Sequence, residues 1–148
     1  MPVALPVLAV AVAYAVWRGH RARAAAVVVA MGAVPLLVMP LKLWIDRTGP
    51  LTAESGYYPS GHTATAMVAY CGAALLLLSP PRTGRGWAMP VAVVLTAATS
   101  IGLVLRGYHW PLDVLGSWLL CGMVLALLVT ALRWIDNRRA VGSGTAGR

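Results

Sequence analysis

The sequence predicts an all-α fold: a polytopic integral-membrane helical bundle of about five transmembrane helices. Three observations predict it. Apolar residues make up 59% of the 148 positions and charged ones only 11%, with a mean hydropathy of +0.76. A soluble domain of this size could not cover so much apolar surface. The apolar residues fall in runs near the roughly 20 residues that a bilayer core of about 30 Å requires. The connections between the runs are short, and positive charge is concentrated in every second one.

Taken in order, the runs cover 2–17, 24–44, 62–79, 87–105 and 111–132. The first is short, but Met1-Pro2-Val3 lacks the basic start of a signal peptide, and Arg18-Gly19-His20 makes a poor cleavage site, so it reads as a helix. The second carries Lys42, the single lysine of the chain, near its outer end. The third and fifth each open on a proline-containing segment that bears a histidine, a residue type suited to the first helical turn. Cys71 and Cys121 fall in mid-span, where thiols pack rather than bind metal, and neither has a second ligand at metal spacing. Thr96, Thr99 and Ser100 suit hydrogen bonding to helix carbonyls or to a neighbouring helix. Residues 1–136 form one domain. The Gly-, Ser- and Arg-rich segment 137–148 reads as a disordered cytoplasmic tail.

Basic residues set the orientation, because cytoplasmic loops are enriched in them. Arg18, Arg21, Arg23, Arg82, Arg85, Arg133, Arg138, Arg139 and Arg148 fall on one side, and Lys42, Arg47 and Arg106 on the other. The expectation is a cell-membrane protein with its C-terminus in the cytoplasm and both histidine segments facing outside. The net charge of +8 is thus mainly a topology signal. Nucleic acid is excluded as a partner, because the charge is split among short loops with no aromatic-lined groove. Heavy Ala, Val, Gly and Arg usage, with one Lys and no Phe, suggests a GC-rich bacterial genome.

The chemistry lies in two segments at the same membrane surface. Pro59-Ser60-Gly61-His62 opens the third span. A helix N-terminus offers unpaired N–H groups and a positive dipole end to an anion, Ser60 can cap or donate its hydroxyl, and Gly61 lets an oxyanion approach the backbone. A capped helix with an interfacial histidine explains the tetrapeptide equally well. In the second segment His109 stands four residues before Asp113. The carboxylate can hold one imidazole N–H and leave the other ring nitrogen as a nucleophile. A carboxylate placed for the helix dipole, with Trp110 as an interface anchor, is the competing account of Asp113 alone. Two histidines on one side of the membrane, with Lys42, Arg47 and Arg106 there as well, favour phosphoryl transfer. Asp46 is expected to pair with Arg47 or Lys42, Glu54 to be a solvated loop charge, and His20 to take no part in catalysis.

Over roughly residues 42–118 the sequence resembles the type 2 phosphatidic acid phosphatase superfamily, the lipid phosphate phosphatases related to vanadium haloperoxidases. The family pattern is Lys, six residues, Arg-Pro; then Pro-Ser-Gly-His; then Ser-Arg, five residues, His, three residues, Asp. Lys42 and Pro50 keep the first spacing, Pro59 to His62 match the second motif in full, and His109 with Asp113 match the end of the third. The resemblance implies that His109 attacks phosphorus to form a phosphohistidine, that Asp113 orients it and that His62 protonates the leaving oxygen. It also implies that Lys42, Ser60 and the Gly61 backbone hold phosphate oxygens, with no metal or other cofactor.

Two departures stand out. The first-motif arginine position is Gly49, and the third-motif Ser-Arg positions are Gly102 and Leu103. Arg47 and Arg106 lie close enough in sequence to substitute as phosphate-binding residues. Family members have three spans before the first motif, whereas two are evident here. The expected activity is hydrolysis of a phosphomonoester or pyrophosphate on a lipid, such as a polyprenyl pyrophosphate, phosphatidic acid or phosphatidylglycerol phosphate. Phosphotransfer to another acceptor and non-catalytic lipid-phosphate binding or transport are the alternatives.

Overall fold

The computed structural model describes residues 3–51, 54–78 and 86–145, with side chains described as far as Arg138. Five helices follow one another: α1 (Ala4–Trp17), α2 (Arg21–Ile45), α3 (Gly61–Leu77), α4 (Ala88–Leu105) and α5 (Pro111–Thr145). Three of them, α2, α4 and α5, are long and apolar enough by length and composition to cross a membrane, and α1 and α3 are shorter apolar helices. The 17 residues of α3 still make about 25 Å of helix.

The helix α3 is the axis of the bundle and packs against all four others. Its sequence explains why. Ala64, Ala66, Ala69, Gly72, Ala73 and Ala74 are all buried, and small residues let helix backbones approach closely where no water drives them together. A Cβ at Gly72 would come within 2.9 Å of Val27, so α2 and α3 meet there at glycine distance. Large side chains point outward: Leu36, Leu43, Trp44, Leu105, Leu119 and Leu127 are among the most exposed. That arrangement inverts a soluble core and suits lipid as the surrounding solvent.

Local signals set the helix ends. Ser60 caps α3 by accepting the Thr63 N–H at 3.3 Å. Asp46 ends α2 in the left-handed conformation at φ 45°, one of the few residue types that visits it. It forms no ion pair with Lys42 or Arg47, whose side chains are held elsewhere. Thr96 and Ser100 donate to the carbonyls of Ala92 and Thr96, both at 2.8 Å, and Thr99 donates to Leu95 O at 2.9 Å. The Trp118 indole donates across to the Ser100 hydroxyl at 3.0 Å, tying α5 to α4.

The backbone of α5 stays helical beyond Asn137 to Thr145, so the irregular tail expected from that point begins as helix. Arginine and alanine are good helix formers, and the Arg138 guanidinium stacks 4.2 Å from the Trp134 ring one turn earlier. Arg82, Arg85 and Arg148 lie outside the described residues.

The five helices alternate in direction, so each end of the bundle collects a distinct set of side chains. At one end Arg23 at the start of α2 pairs with Asp136 near the end of α5 and reaches the Leu75 carbonyl of α3. Lys42, His62 and His109 gather at the other end.

Candidate active site

The starts of α3 and α5 are joined by a buried set of hydrogen bonds. The Ser60 N–H donates to the Asp113 carbonyl at 3.0 Å. The Ser117 hydroxyl lies 2.8 Å from the Ser60 carbonyl and 2.9 Å from the Asp113 carbonyl, and Ser60, Asp113 and Ser117 are all fully buried. The Tyr58 ring lies where a Cβ of Gly116 would stand, which closes the joint from the other side. Two helix beginnings that are far apart in sequence thereby share one site. The His62 and His109 rings sit with centroids 6.2 Å apart.

The two imidazoles differ sharply. His109 is only 7% exposed, while His62 is exposed on the first turn of α3. The Nδ1 of His109 lies 3.4 Å from Asp113 Oδ2, ion-pair range but longer than a good hydrogen bond. That oxygen already accepts the Trp110 N–H at 2.9 Å. With Nδ1 turned to Asp113, Nε2 is the nitrogen left for the cavity that His109 lines. Burial pushes the His109 imidazole below its ordinary pKa; the contact and charge of Asp113 pull upward, and Lys42 and His62 add to the depression.

That cavity, about 660 Å³ in volume, runs from the histidines along α2. Its upper part is lined by Lys42, Glu54, Gly56, Tyr57, Gly61, His62, Thr65 and His109, and its lower wall by Leu5, Met31, Val34, Pro35, Val38 and Met39. From Lys42 to Met31 the helix descends about 16 Å, so a polar mouth opens onto an apolar channel. Among the described residues no cluster of three or more His, Cys, Asp or Glu suited to a metal ion occurs.

The expected site residues are distributed as follows. Lys42, Gly61, His62 and His109 line the cavity. The Lys42 ammonium donates to the Gly56 carbonyl, which leaves two further donors for an anion. Ser60 is fully buried, and its hydroxyl serves the helix cap. Arg47 comes to the site from the loop after α2, but its Nη1 lies 3.4 Å from Asp113 Oδ1, outside the cavity lining. Arg106 is not brought to the cavity. It is the exposed C-cap of α4, and the chain turns away at Gly107, whose φ of 70° suits glycine. Glu54, read as a solvated loop charge, is exposed but lines the cavity mouth.

Sequence reasoning missed Tyr57 and Ser117. The Tyr57 ring meets His109 edge-on at 5.7 Å and occupies the space that a side chain at Gly49 would need. A side chain at the position of the family arginine would therefore collide with Tyr57. Ser117 stands one turn beyond Asp113, a spacing that was available as a signal for a polar stripe on α5.

The comparisons with known proteins accord with this geometry. Over 72 residues the chain is 38% identical to an undecaprenyl-diphosphatase of Sulfolobus acidocaldarius, a stretch that covers 49% of this chain and 32% of that protein. It is also similar to a solved structure, that of a transmembrane PAP2-type phosphatidylglycerolphosphate phosphatase from Bacillus subtilis, with a TM-score of 0.76 at 25% identity, over 90% of this chain and 69% of the other. Its apolar helices and this membrane-spanning neighbour make the molecule a multi-pass membrane protein. The family model of the PAP2 superfamily matches residues 23–137, a span that takes in both histidine segments, and the chain belongs to that superfamily.

Proposed function

We propose that the protein is a lipid phosphatase that hydrolyses a phosphomonoester or pyrophosphate of a membrane lipid through a phosphohistidine. The observation that carries this reading is the pair of histidines 6.2 Å apart at the polar mouth of an apolar channel, with Lys42 beside them. In the first step the Nε2 lone pair of His109 attacks phosphorus and the bond from phosphorus to the leaving oxygen breaks. His62 delivers its proton to that oxygen. Water then attacks the phosphohistidine, His62 takes up a proton, and inorganic phosphate leaves with His109 restored. Lys42 and the free N–H groups at the start of α3 neutralise the equatorial oxygens, the main task in phosphoryl transfer. The step as drawn uses these side chains alone, and no metal or cofactor is assigned a role in it.

The apolar lower wall favours a lipid over a soluble phosphate ester, because the channel can accept the chain next to the headgroup. The names of the two relatives suggest an isoprenoid diphosphate and a phosphatidylglycerol phosphate as first substrates to try. Phosphate release by purified protein from undecaprenyl diphosphate, phosphatidylglycerol phosphate and phosphatidic acid tests the reading. Turnover of at least one of them, abolished in His109→Ala, is expected; no release from any of them would overturn it.

The catalytic end is assigned to the outside of the cell membrane, because Arg18, Arg21, Arg23, Arg133 and Arg138 lie at the opposite end. A cysteine replacing the exposed Ser55 should then react with an impermeant maleimide in intact cells, while the native Cys71 and Cys121 are buried and stay silent. Protection of that cysteine until the membrane is broken would reverse the assignment.

A further inference from the structure

We propose that Arg47 is a positioning residue for the His109 nucleophile: its guanidinium is the counterion of the buried Asp113 carboxylate, and it is not the phosphate clamp that its place in the sequence suggests. The inference rests on the phosphatase reading for its meaning, although its test does not depend on turnover.

Asp113 is fully buried. Its Oδ2 is taken by the Trp110 N–H and faces His109, while its Oδ1 has no hydrogen bond and faces Arg47 Nη1 at 3.4 Å. An ionised carboxylate in such a place needs a compensating charge, and a neutral nucleophilic imidazole supplies none. Apart from His109, Arg47 is the only cationic side chain within ion-pair distance of Asp113 among the described residues.

Three further contacts fix the loop that carries Arg47, one of them made by the guanidinium itself. The Arg47 carbonyl accepts the Tyr57 N–H at 3.0 Å, the guanidinium lies 5.9 Å from the centre of the Trp110 ring, and the Trp110 indole donates to the Thr48 carbonyl at 3.2 Å. At Gly49, where the family pattern places its arginine, the Tyr57 ring leaves no room for a side chain. Arg47 therefore delivers a guanidinium from the same loop to a different target, behind His109 rather than in front of it. It does not line the cavity in which the phosphate would sit.

The groups facing His109 are Asp113 from α5, Lys42 from α2, His62 from α3, and Tyr57 from the loop; Arg47 acts through Asp113, and Glu54 lines the same cavity mouth. Of these, Arg47 is the permanent cation within ion-pair distance of the carboxylate, while Lys42 acts on it from farther away. Removing its charge unshields Asp113, whose contact and charge pull the His109 pKa upward, so that pKa rises. The nucleophile must be neutral, so the acid limb of activity moves to higher pH.

The test compares the full-length membrane protein with Arg47→Gln, Arg47→Lys and Arg47→Met. It uses para-nitrophenyl phosphate as substrate and, separately, imidazole NMR of the protein in micelles to follow His109. Arg47→Gln should raise the acid limb and the His109 midpoint together by about one pH unit, a shift typical of losing one nearby charge, with KM changed less than about threefold. Arg47→Lys should return both midpoints close to wild type. Arg47→Met keeps an unbranched apolar side chain without the charge and should repeat the glutamine shift, which secures the test if the glutamine variant does not fold. Unmoved midpoints with KM raised tenfold or more would overturn the proposal in favour of a phosphate clamp. Unmoved midpoints with unchanged KM would leave Arg47 a purely structural part of the loop and overturn it as well. A wild type that turns over no substrate contradicts the phosphatase reading, while the NMR midpoints still decide the role of Arg47.

Discussion

The beginnings of α3 and α5 each present a histidine at the same end of the bundle, yet they are built differently. His62 sits exposed on the first turn of a helix capped by Ser60. His109 is buried in the turn before α5 and faces Asp113, which Arg47 and the Trp110 N–H hold from behind. Exposure suits a group that passes a proton to a leaving oxygen and later takes one from water. Burial against a fixed carboxylate suits a nucleophile whose lone pair must point at one place. The proposed division of labour between two identical side chains rests on this difference in their surroundings.

The largest expected break in this comparison is His109→Ala, which should lower kcat by about three to five orders of magnitude on every substrate, as loss of a covalent catalyst does. His62→Ala should cost about 10²- to 10⁴-fold on a lipid phosphate but clearly less on para-nitrophenyl phosphate, whose leaving group hardly needs a proton. Equal losses on the two substrates would remove His62 from the acid role. The pH profile sharpens the difference further. Because burial depresses the His109 pKa, the acid limb of kcat/KM should lie below the ordinary histidine value of 6.5 if His109 is the nucleophile. An acid limb well above that value would mean that Asp113 outweighs burial.

Smaller effects test the joint that brings the histidines together. Gly116→Ala must displace the Tyr58 ring and should lower stability by about 1–3 kcal/mol, measured as thermal unfolding in detergent. Ser117→Ala removes one buried hydroxyl bridge and should cost about 1 kcal/mol, leaving activity nearly intact at temperatures below unfolding. Smallest of all, Arg106→Ala should stay within about threefold of wild type in kcat/KM, since an exposed charge outside the cavity contributes little.

Much of this was legible in the residues. Apolar run lengths located all five helices and, except for the far end of α5, their bounds to within a few positions, and the alternation of basic loops put His62 and His109 on one side. The Pro59-Ser60-Gly61-His62 segment announced a capped helix start because each of its residue types has a local physical role. What one sequence could not supply was the third dimension of the loop between α2 and α3. Arg47 and Arg106 looked equivalent as outer-side cations, and only the packing of Tyr57 over Gly49 and the turn at Gly107 separate one that reaches Asp113 from one that does not. The continuation of α5 past Asn137 was likewise hidden, because composition rich in Gly and Ser outweighed the helix-forming Arg and Ala in the reading but not in the chain.

The division between the two histidines is tested most directly by trapping the covalent intermediate. Purified protein is mixed with ³²P-labelled lipid phosphate, quenched in alkali, which preserves phosphohistidine, and digested to find the labelled peptide. Label on His109, absent from His109→Ala and accumulating in His62→Ala with a good leaving group, is the expected result, because water needs His62 to discharge the intermediate. Label on His62, or full turnover with no labelled histidine under these conditions, would contradict the account.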